Sequence, residues 1–331
     1  MRSLKYAFLV CVLFLSSFVG WMTWFAYSPL NLQDVKTVEF SISPGQSLRS
    51  ASQLMAESGL GFAPWQFTLL ARSLGNAAEI KAGSYQVEQG VTPLELIEKL
   101  SRGDFNQDQI AFVEGRSFHQ IRNQLDAHPS VRHDTAGLSD LEILSQLGAK
   151  EAHPEGLFFP DTYVFAKNSS DLEILRRAYR TMHQHLEREW PKRSPNLQIT
   201  TPYQLLIMAS LVEKETGQAS DRAAIAAVFN NRLRLGMLLQ TDPTVIYGLG
   251  ERFDGNLRKR DLLADSPYNT YTRPGLPPTP IAMPGLAALQ ASLHPAQSDK
   301  LYFVARGDGS SEFSRNLEEH NRAVNRYQRG R

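Results

Sequence analysis

Residues 201–217, TPYQLLIMASLVEKETG, contain the most distinctive helix signal in the chain. Thr201 predicts an N-cap, Pro202 stands at the favoured first helical position, and Gln204 is placed to complete a capping box. The next stretch, 205–212, is apolar on nearly every side, and such a helix belongs inside a domain rather than on its surface. The sequence therefore predicts a buried helix at the centre of the C-terminal part of the chain.

Two glutamates, Glu213 and Glu215, end this helix. A carboxyl at the end of a buried helix is a candidate for a raised pKa, because desolvation favours its neutral form. A neutral carboxylic acid near pH 7 is what a general acid for glycosidic cleavage requires. The two side chains lie about 200° apart around the helix, so they cannot share a face. Residue chemistry alone leaves open which of them acts, and also whether both are merely solvated residues of a last turn.

The N-terminus predicts a membrane anchor. Residues 6–27 form an uncharged run that follows Arg2 and Lys5, and a helix of that length spans about 33 Å, enough to cross a bilayer core. Basic residues before the run predict a cytoplasmic N-terminus, with the bulk of the chain outside the cytoplasm. The length of the run and the bulky residues at 21–24 favour an uncleaved anchor over the competing interpretation, a cleaved signal peptide.

Three stretches after the anchor share one pattern: a short strand, a glycine, a Ser or Thr two residues later, and a helix. The strands are predicted at 38–42, 85–87 and 112–113, and the helices after Ser47, Thr92 and Ser117. We predict a compact α+β module over residues 36–110, whose order of elements resembles LysM-type glycan-binding modules. A glycan-binding role and a simple spacer role remain equally open.

Composition excludes several classes of protein. The 331 residues carry a formal charge of +1, which argues against a nucleic-acid-binding protein, and the single cysteine excludes a disulfide scaffold and a thiolate zinc site. His183 and His185 are two residues apart on a predicted helix, so they point to different sides and do not suggest a shared metal. We predict neither a metal nor a cofactor.

The C-terminal part is predicted to be mainly helical. A late hairpin interrupts it, with strands at 301–304 and 312–314 around the turn 306–309, and a terminal helix runs through Leu317 and Tyr327. The predicted fold class is α+β.

Several ordered motifs in this part resemble the endolytic murein transglycosylases, the MltG or YceG-like family. The buried helix end, 208–216 (MASLVEKET), looks like the catalytic-helix motif of that family. The remaining matches lie at 155–163 (EGLFFPDTY), 228–233 (VFNNRL), 239–248 (LQTDPTVIYG), 268–271 (YNTY), 275–278 (GLPP), 280–282 (PIA) and 284–285 (PG). A long set of motifs in a fixed order is far more specific than one short pattern.

The resemblance implies non-hydrolytic cleavage of the MurNAc–GlcNAc bond within peptidoglycan strands, leaving 1,6-anhydroMurNAc ends. It implies a lysozyme-like catalytic domain, in which the second glutamate of the helix-end motif, Glu215, is the catalytic acid. The substrate-binding residues that it suggests are Gln240, Asp242, Asn269, Tyr271 and Glu155. Asp242 could instead cap a helix, and Asn269 could instead hold a turn.

The predicted organisation combines the anchor, the small module and the catalytic part. It comprises a cytoplasmic tail (1–5), a transmembrane anchor (6–27), a linker (28–35), the LysM-like module (36–110), a connecting segment (111–152) and a catalytic transglycosylase domain (153–331). The family resemblance places the protein in the cell inner membrane with its bulk in the periplasm, where peptidoglycan strands are its substrate. Membrane lipid and penicillin-binding proteins are the other candidate partners.

Two other functions are compatible with the same residues. One is a hydrolase that makes reducing ends, with Asp242 activating a water molecule. The other is a non-catalytic glycan-binding scaffold that regulates peptidoglycan synthases. The chemistry of the new chain ends distinguishes the first from a transglycosylase, and the effect of a Glu215 substitution distinguishes the second.

Overall fold

The computed structural model describes residues 2–32, 35–215 and 218–329. Its helices are α1 (Arg2–Tyr27), α2 (Leu48–Glu57), α3 (Pro64–Ser73), α4 (Pro93–Arg102), α5 (Phe118–Asp126), α6 (Asp140–Leu147), α7 (Asp171–Glu189), α8 (Pro202–Glu215), α9 (Arg222–Arg234), α10 (Asp242–Leu249), α11 (Lys259–Leu263), α12 (Leu286–Leu293) and α13 (Leu317–Val324). Its strands are β1 (Thr37–Ile42), β2 (Gly83–Glu88), β3 (Gln107–Ala111), β4 (Val131–Arg132), β5 (Thr162–Ala166), β6 (Ser169–Ser170), β7 (Tyr302–Ala305) and β8 (Ser311–Ser314). The predicted mixed α+β class is confirmed.

Parts of three sequence predictions fall outside the described residues. They are residues 33–34 of the predicted linker, residues 216–217 at the end of the helix motif, and the terminal residues 1, 330 and 331.

The chain divides into two compact units. The first contains the chain up to Gln109 together with the short segments 130–132 and 164–169. The second contains residues 110–129 and 133–163 and the chain from Ser170 onward.

Helix α1 begins the first unit. Over Phe8–Tyr27, 20 residues, it is long and apolar enough to cross a membrane. Most of its side chains are exposed, but Phe25 and Ala26 in the last turn are buried. The predicted apolar helix is therefore present, and its end is part of a packed core.

The rest of the first unit follows the predicted strand and helix pattern. Strands β1 and β2 pair antiparallel, from Thr37 opposite Glu88 to Ile42 opposite Gly83. The Ser47 hydroxyl caps α2, and Thr92 caps α4 in a complete capping box. The apolar faces of these elements form one core that includes Phe40, Met55, Phe67, Tyr85, Leu96 and Leu100.

The third stretch of the same pattern departs from the prediction at its strand. Ser117 caps α5 as predicted, but β3 ends at Ala111, so the strand predicted at 112–113 is wrong. Phe112 N donates to Asp161 O at 2.9 Å, and Phe112 packs its ring against Tyr163 at a centroid distance of 5.1 Å. The aromatic residue that suggested a strand is thus a core side chain just beyond the end of one.

Helix α8 is the buried centre of the second unit. All eight residues from Leu205 to Val212 are buried, and α8 packs against α9, α10 and α12. Within this run, the Ser210 hydroxyl donates to Ile207 O at 2.7 Å and accepts from Ile281 N at 3.0 Å. The one polar side chain of the buried stretch is therefore satisfied, as burial requires.

The start of α8 differs slightly from the predicted capping box. Thr201 Oγ1 accepts from Gln204 N at 3.1 Å, as predicted. The Gln204 side chain, however, accepts from Thr200 N at 2.7 Å rather than from the cap residue itself. The reciprocal bond is shifted by one residue, and it still satisfies an amide next to the helix N-terminus.

The C-terminal hairpin is confirmed. Strands β7 and β8 pair antiparallel, with Tyr302 opposite Ser314, and both α9 and α13 pack against β7. The terminal helix is regular only as far as Val324, and it continues to Arg329 in wider π turns.

Gly156 provides a test of the packing around α8. Gly156 and Gly137 both have positive φ, +80° and +79°, but a Cβ at Gly156 would lie 2.5 Å from Pro280, whereas at Gly137 nothing lies within 4 Å. Left-handed strain should cost each alanine variant about 1–2 kcal/mol, and the clash should cost Gly156→Ala about 1–3 kcal/mol more. Thermal unfolding of the two variants measures the difference, and equal losses would contradict this packing.

Candidate active site

Glu215, the last residue of α8, opens into a cavity of about 510 Å³. The cavity wall combines the helix end with the turn before α10 and with the C-terminal hairpin. Its polar lining includes Glu215, Arg232, Gln240, Asp242, Tyr271, Tyr302 and His320. These residues come from segments far apart in the chain, so tertiary packing rather than a single motif forms the site.

Three buried threonine hydroxyls support Glu215 from behind. Thr241 Oγ1 donates a hydrogen bond to Glu215 Oε1. Thr241 N donates to Thr270 Oγ1 at 3.1 Å, and Thr244 Oγ1 donates to Thr241 O at 2.7 Å. Because the Thr244 hydroxyl proton is used there, its 2.9 Å contact with Thr270 Oγ1 is a bond that Thr270 donates. The network fixes Thr241, and Thr241 fixes one oxygen of the carboxyl.

Burial is the main reason that the pKa of Glu215 is raised to about 7. The Thr241 hydrogen bond lowers this pKa, the neighbouring charge of Asp242 raises it, and the positive charge of Arg232 lowers it. The carboxyl therefore carries a proton in a substantial fraction of molecules near neutral pH. Oε1 is held by Thr241. Oε2 has no hydrogen-bond partner among the described residues, so it is the oxygen that can present that proton to the cavity.

Arg232 is a site residue that sequence reasoning missed. It lay inside the quoted motif 228–233, but nothing in its residue type set it apart from a surface arginine. The structure buries it: Nε donates to Leu301 O at 2.7 Å, and a terminal nitrogen donates to Leu239 O at 2.8 Å. Its guanidinium lies 5.0 Å from the centre of the Tyr302 ring. A fixed positive charge thus stands in the wall that also holds Glu215.

Gln240, Asp242 and Tyr271, which the family resemblance suggested, line this same cavity. Tyr271 Oη donates to Asp242 Oδ1 at 2.5 Å. Gln240 has a positive φ of 49°, an unusual conformation for a residue other than glycine. Its backbone is held there, because Gln240 N donates to Thr270 O at 3.0 Å.

Asn269, which the sequence suggested as a substrate contact, is not among the residues that line the cavity. It is fully buried. Its amide nitrogen donates to the carbonyls of Asp261, Leu262 and Ala264 at 2.7–3.4 Å, and its Oδ1 accepts from Tyr271 N at 2.8 Å. Its amide nitrogen and its Oδ1 are therefore both engaged by backbone groups of the protein. Asn269 holds the turn that presents Tyr271, which is the alternative that the sequence had left open.

Glu155 is likewise buried, at 3% exposure, rather than placed on the cavity wall. Its carboxylate accepts from Phe118 N at 3.0 Å, at the start of α5, and from Tyr247 Oη at 3.1 Å, in α10. Burial raises its pKa to about 7. Glu155 therefore ties α5 to α10 and does not contact the space in front of Glu215.

Glu213, the other glutamate of the helix end, faces a different group. Its Oε2 accepts from Gly285 N at 2.9 Å, at the start of α12, and its Oε1 lies 3.7 Å from Arg222. Burial raises its pKa. Glu213 thus binds a helix N-terminus, where a carboxylate is favoured, while Glu215 faces the cavity.

Tyr302 and His320 form an aromatic part of the cavity wall that the sequence did not indicate. Their rings stack at a centroid distance of 5.2 Å. His320 Nδ1 is buried and has no partner among the described residues. In the sequence, Tyr302 was one residue of a predicted strand and His320 an isolated histidine.

The candidate metal ligands lie elsewhere. His183 Nε2 is 3.8 Å from Glu151, whereas His185 Nδ1 contacts Arg188 at 2.8 Å, so the two histidines have separate neighbours. A second group, Asp126, His133 and Asp171, has ligand atoms within 4.8 Å of one another. Asp171 already accepts from Thr135 N, Thr135 Oγ1 and Leu172 N, so its carboxylate is committed to structural bonds.

Comparison with known proteins identifies the family. The model of the YceG-like family matches residues 40–326. The chain is 34% identical over 318 residues to an endolytic murein transglycosylase of Bacillus subtilis (strain 168), covering 90% of this chain and 87% of the relative. It is 29% identical over 330 residues to an endolytic murein transglycosylase of Streptococcus pneumoniae serotype 2, covering 89% of this chain but only 59% of that longer relative.

A solved structure agrees with this assignment. The 2.6 Å crystal structure of a yceG-like protein from Listeria monocytogenes superposes with a TM-score of 0.54 at 29% identity, covering 87% of this chain and 99% of that one. The chain described here belongs to the YceG-like family.

Removal of the Thr241 hydroxyl tests the electrostatics of the site. Thr241→Val loses the hydrogen bond that lowers the pKa of Glu215, so that pKa should rise above its value of about 7. Thr241→Ser keeps the hydroxyl and should leave the pKa nearly unchanged. Titration of the ¹³C carboxyl signal of Glu215 measures both variants, and an unchanged or lower pKa in the valine variant would contradict the assigned bond.

Proposed function

We propose that this chain is a membrane-anchored lytic transglycosylase. It cleaves MurNAc–GlcNAc bonds within nascent peptidoglycan strands, leaves 1,6-anhydroMurNAc ends, and so terminates glycan elongation. The observation that carries the proposal is Glu215, a carboxyl with a pKa raised to about 7 that opens into a polar cavity. The relatives named endolytic murein transglycosylases support the choice of substrate.

One carboxyl performs both proton transfers in this reaction. Protonated Glu215 gives its proton to the glycosidic oxygen, and the bond from that oxygen to C1 of MurNAc breaks. The resulting carboxylate then takes the proton of the MurNAc C6 hydroxyl, whose oxygen attacks C1 and closes the anhydro ring. Glu215 is left protonated, as it began, and no water molecule is consumed.

The charges around Glu215 suit both halves of this cycle. Arg232 stabilises the carboxylate that exists between the two transfers. The Asp242 carboxylate lies on the cavity wall, where it can stabilise the positive charge that develops at C1. Asp242 Oδ1 accepts a hydrogen bond from Tyr271 at 2.5 Å, so that oxygen is engaged with a phenol rather than free to activate water.

The proposal also includes a finer description of the two units. The first unit orders its elements as β1, α2, α3 and β2, with the two strands antiparallel, and this order supports a LysM-like module. In the second unit, a buried helix that ends in the catalytic glutamate supports a lysozyme-like catalytic domain.

We place the protein in the inner membrane as a single-pass protein. Helix α1 supplies the span, and the basic residues before it favour a cytoplasmic N-terminus, which leaves the bulk of the chain in the periplasm. The implied partners are peptidoglycan strands, membrane lipid and penicillin-binding proteins.

Mass spectrometry of polymerised, uncrosslinked glycan tests the proposal. The full-length protein in detergent is the right reagent, because the end of α1 is buried in the first unit. Internal cuts that end in 1,6-anhydroMurNAc support the transglycosylase. Reducing ends would favour a hydrolase, with Asp242 the first residue to examine. The absence of cleavage by folded protein would favour a non-catalytic scaffold.

Glu215→Gln and Glu155→Gln form a matched pair, because desolvation raises the pKa of both wild-type carboxyls to about 7. Glutamine at 215 cannot transfer a proton, so turnover should fall by about 100-fold or more. Glutamine at 155 keeps an oxygen that can accept from Phe118 N, and its amide N–H can donate to Tyr247 Oη, so most turnover should remain. Measuring the turnover of both variants tests this assignment. Comparable losses of turnover would contradict the assignment of Glu215 as the acid.

The pH dependence of turnover follows from the same pKa. The active form of Glu215 is protonated, and it predominates below about pH 7. As the pH rises above 7, activity should fall along a limb governed by this one ionisation. In Thr241→Val that limb should move to higher pH. A wild-type rate that rises steadily between pH 6 and 8 would contradict a protonated acid.

A further inference from the structure

The transmembrane helix enters the core of the first unit without a break. Phe25 and Ala26 of α1 are buried, as are Leu30 and Leu32 just beyond it. The chain after α1 is also pinned by its backbone, because Leu30 N donates to Val91 O at 2.8 Å. The core of the first unit therefore begins within the last turn of α1 itself.

The length of α1 places the junction between this helix and the core of the first unit at the edge of the bilayer. The 20 residues of Phe8–Tyr27 rise about 30 Å, which is the thickness of the hydrocarbon core. The stretch from Lys5 to Trp21 rises only about 24 Å. The last two turns of α1 are thus needed to complete the crossing, although the first unit covers one side of them.

Helix α3 meets α1 at this depth through one aromatic pair. Trp65, in its first turn, stacks on Trp21 with ring centroids 5.4 Å apart, yet 57% of its surface stays exposed. A tryptophan with an apolar ring and a polar N–H is favoured at the membrane–water interface.

The outer face of α3 has the composition of an interfacial helix. Trp65, Leu69 and Arg72 are spaced four and three residues apart, so they lie on one side, while Phe67 and Leu70 bury the other side. Arginine and tryptophan are the side chains that anchor a helix among lipid headgroups. Trp24 and Tyr27, both 66% exposed on α1, extend the same aromatic band.

We infer that the outer face of α3, defined by Trp65, Leu69 and Arg72, lies in the headgroup region of the bilayer that α1 crosses. This inference rests on the anchor in the proposed function, and its partner is a lipid surface. It means that the small module is held against the membrane by its own side chains rather than carried above it on a flexible linker.

The four tryptophans of the chain allow a direct test. Full-length variants that keep one tryptophan each, with phenylalanine at the other three positions, are reconstituted into phosphatidylcholine–phosphatidylglycerol vesicles. The retained residues are Trp65 as the probe, Trp24 as a reporter of the anchor, and Trp190 of the second unit as the control. Lipids brominated near the headgroup or near the bilayer centre then quench emission according to depth.

The inference predicts that Trp65 loses emission with the shallow bromines more than with the deep ones, while Trp190 loses little. Quenching of Trp24 without quenching of Trp65 would overturn the inference and leave the anchor intact. No quenching of Trp24 would reject the anchor and the inference with it. Equal quenching of Trp65 and Trp190 would reject a specific placement of α3.

A second measurement covers the case in which the tryptophan substitutions disturb folding. A spin label on Leu69→Cys, in a Cys11→Ala background, leaves all four tryptophans in place. Its accessibility to oxygen and to a water-soluble relaxation agent reports depth by paramagnetic resonance. A label at headgroup depth agrees with the inference, and a fully aqueous label contradicts it.

Discussion

The site in the second unit depends on one constraint, the desolvation of the Glu215 carboxyl. This carboxyl lies at the end of a helix that has no polar face. Helix α8 is buried along Leu205–Val212 and carries its terminal carboxyl into surroundings that favour the neutral form. Thr241 and Arg232 oppose that effect and Asp242 reinforces it, so the pKa settles near 7. A group with this pKa can both give and take a proton at neutral pH, which a single-carboxyl mechanism requires.

The cavity in front of Glu215 depends partly on residues that do not line it. Asn269 uses its whole amide to hold the turn that presents Tyr271, and Glu155 ties α5 to α10. The C-terminal hairpin contributes Tyr302, whose ring covers the guanidinium of Arg232. The contacts of Glu155 and Tyr302 join segments distant in the chain, so the site should be lost as a whole when the packing of the second unit fails.

Local signals in the sequence predicted those parts of the molecule that local physics decides. Apolar run length predicted α1, the Ser and Thr caps predicted α2 and α4, and an all-apolar stretch predicted the burial of α8. The position of Asn269 could not be predicted from the sequence, because the same amide serves equally well as a ligand for substrate or for a backbone turn. Arg232 was missed because its burial depends on the carbonyls at 238–239, in the turn after its helix, and on the distant carbonyl of Leu301, which no helix pattern contains.

The fate of water in the reaction is the most direct test of the proposed mechanism. Glycan is cleaved by the full-length protein in water enriched in heavy oxygen, and mass spectrometry reads the new chain ends. Attack by the C6 hydroxyl brings no atom from water, so the ends should be anhydro sugars without the label. One heavy oxygen in each new reducing end would contradict the mechanism, because it would show that a water molecule, and not the sugar itself, displaced the leaving group.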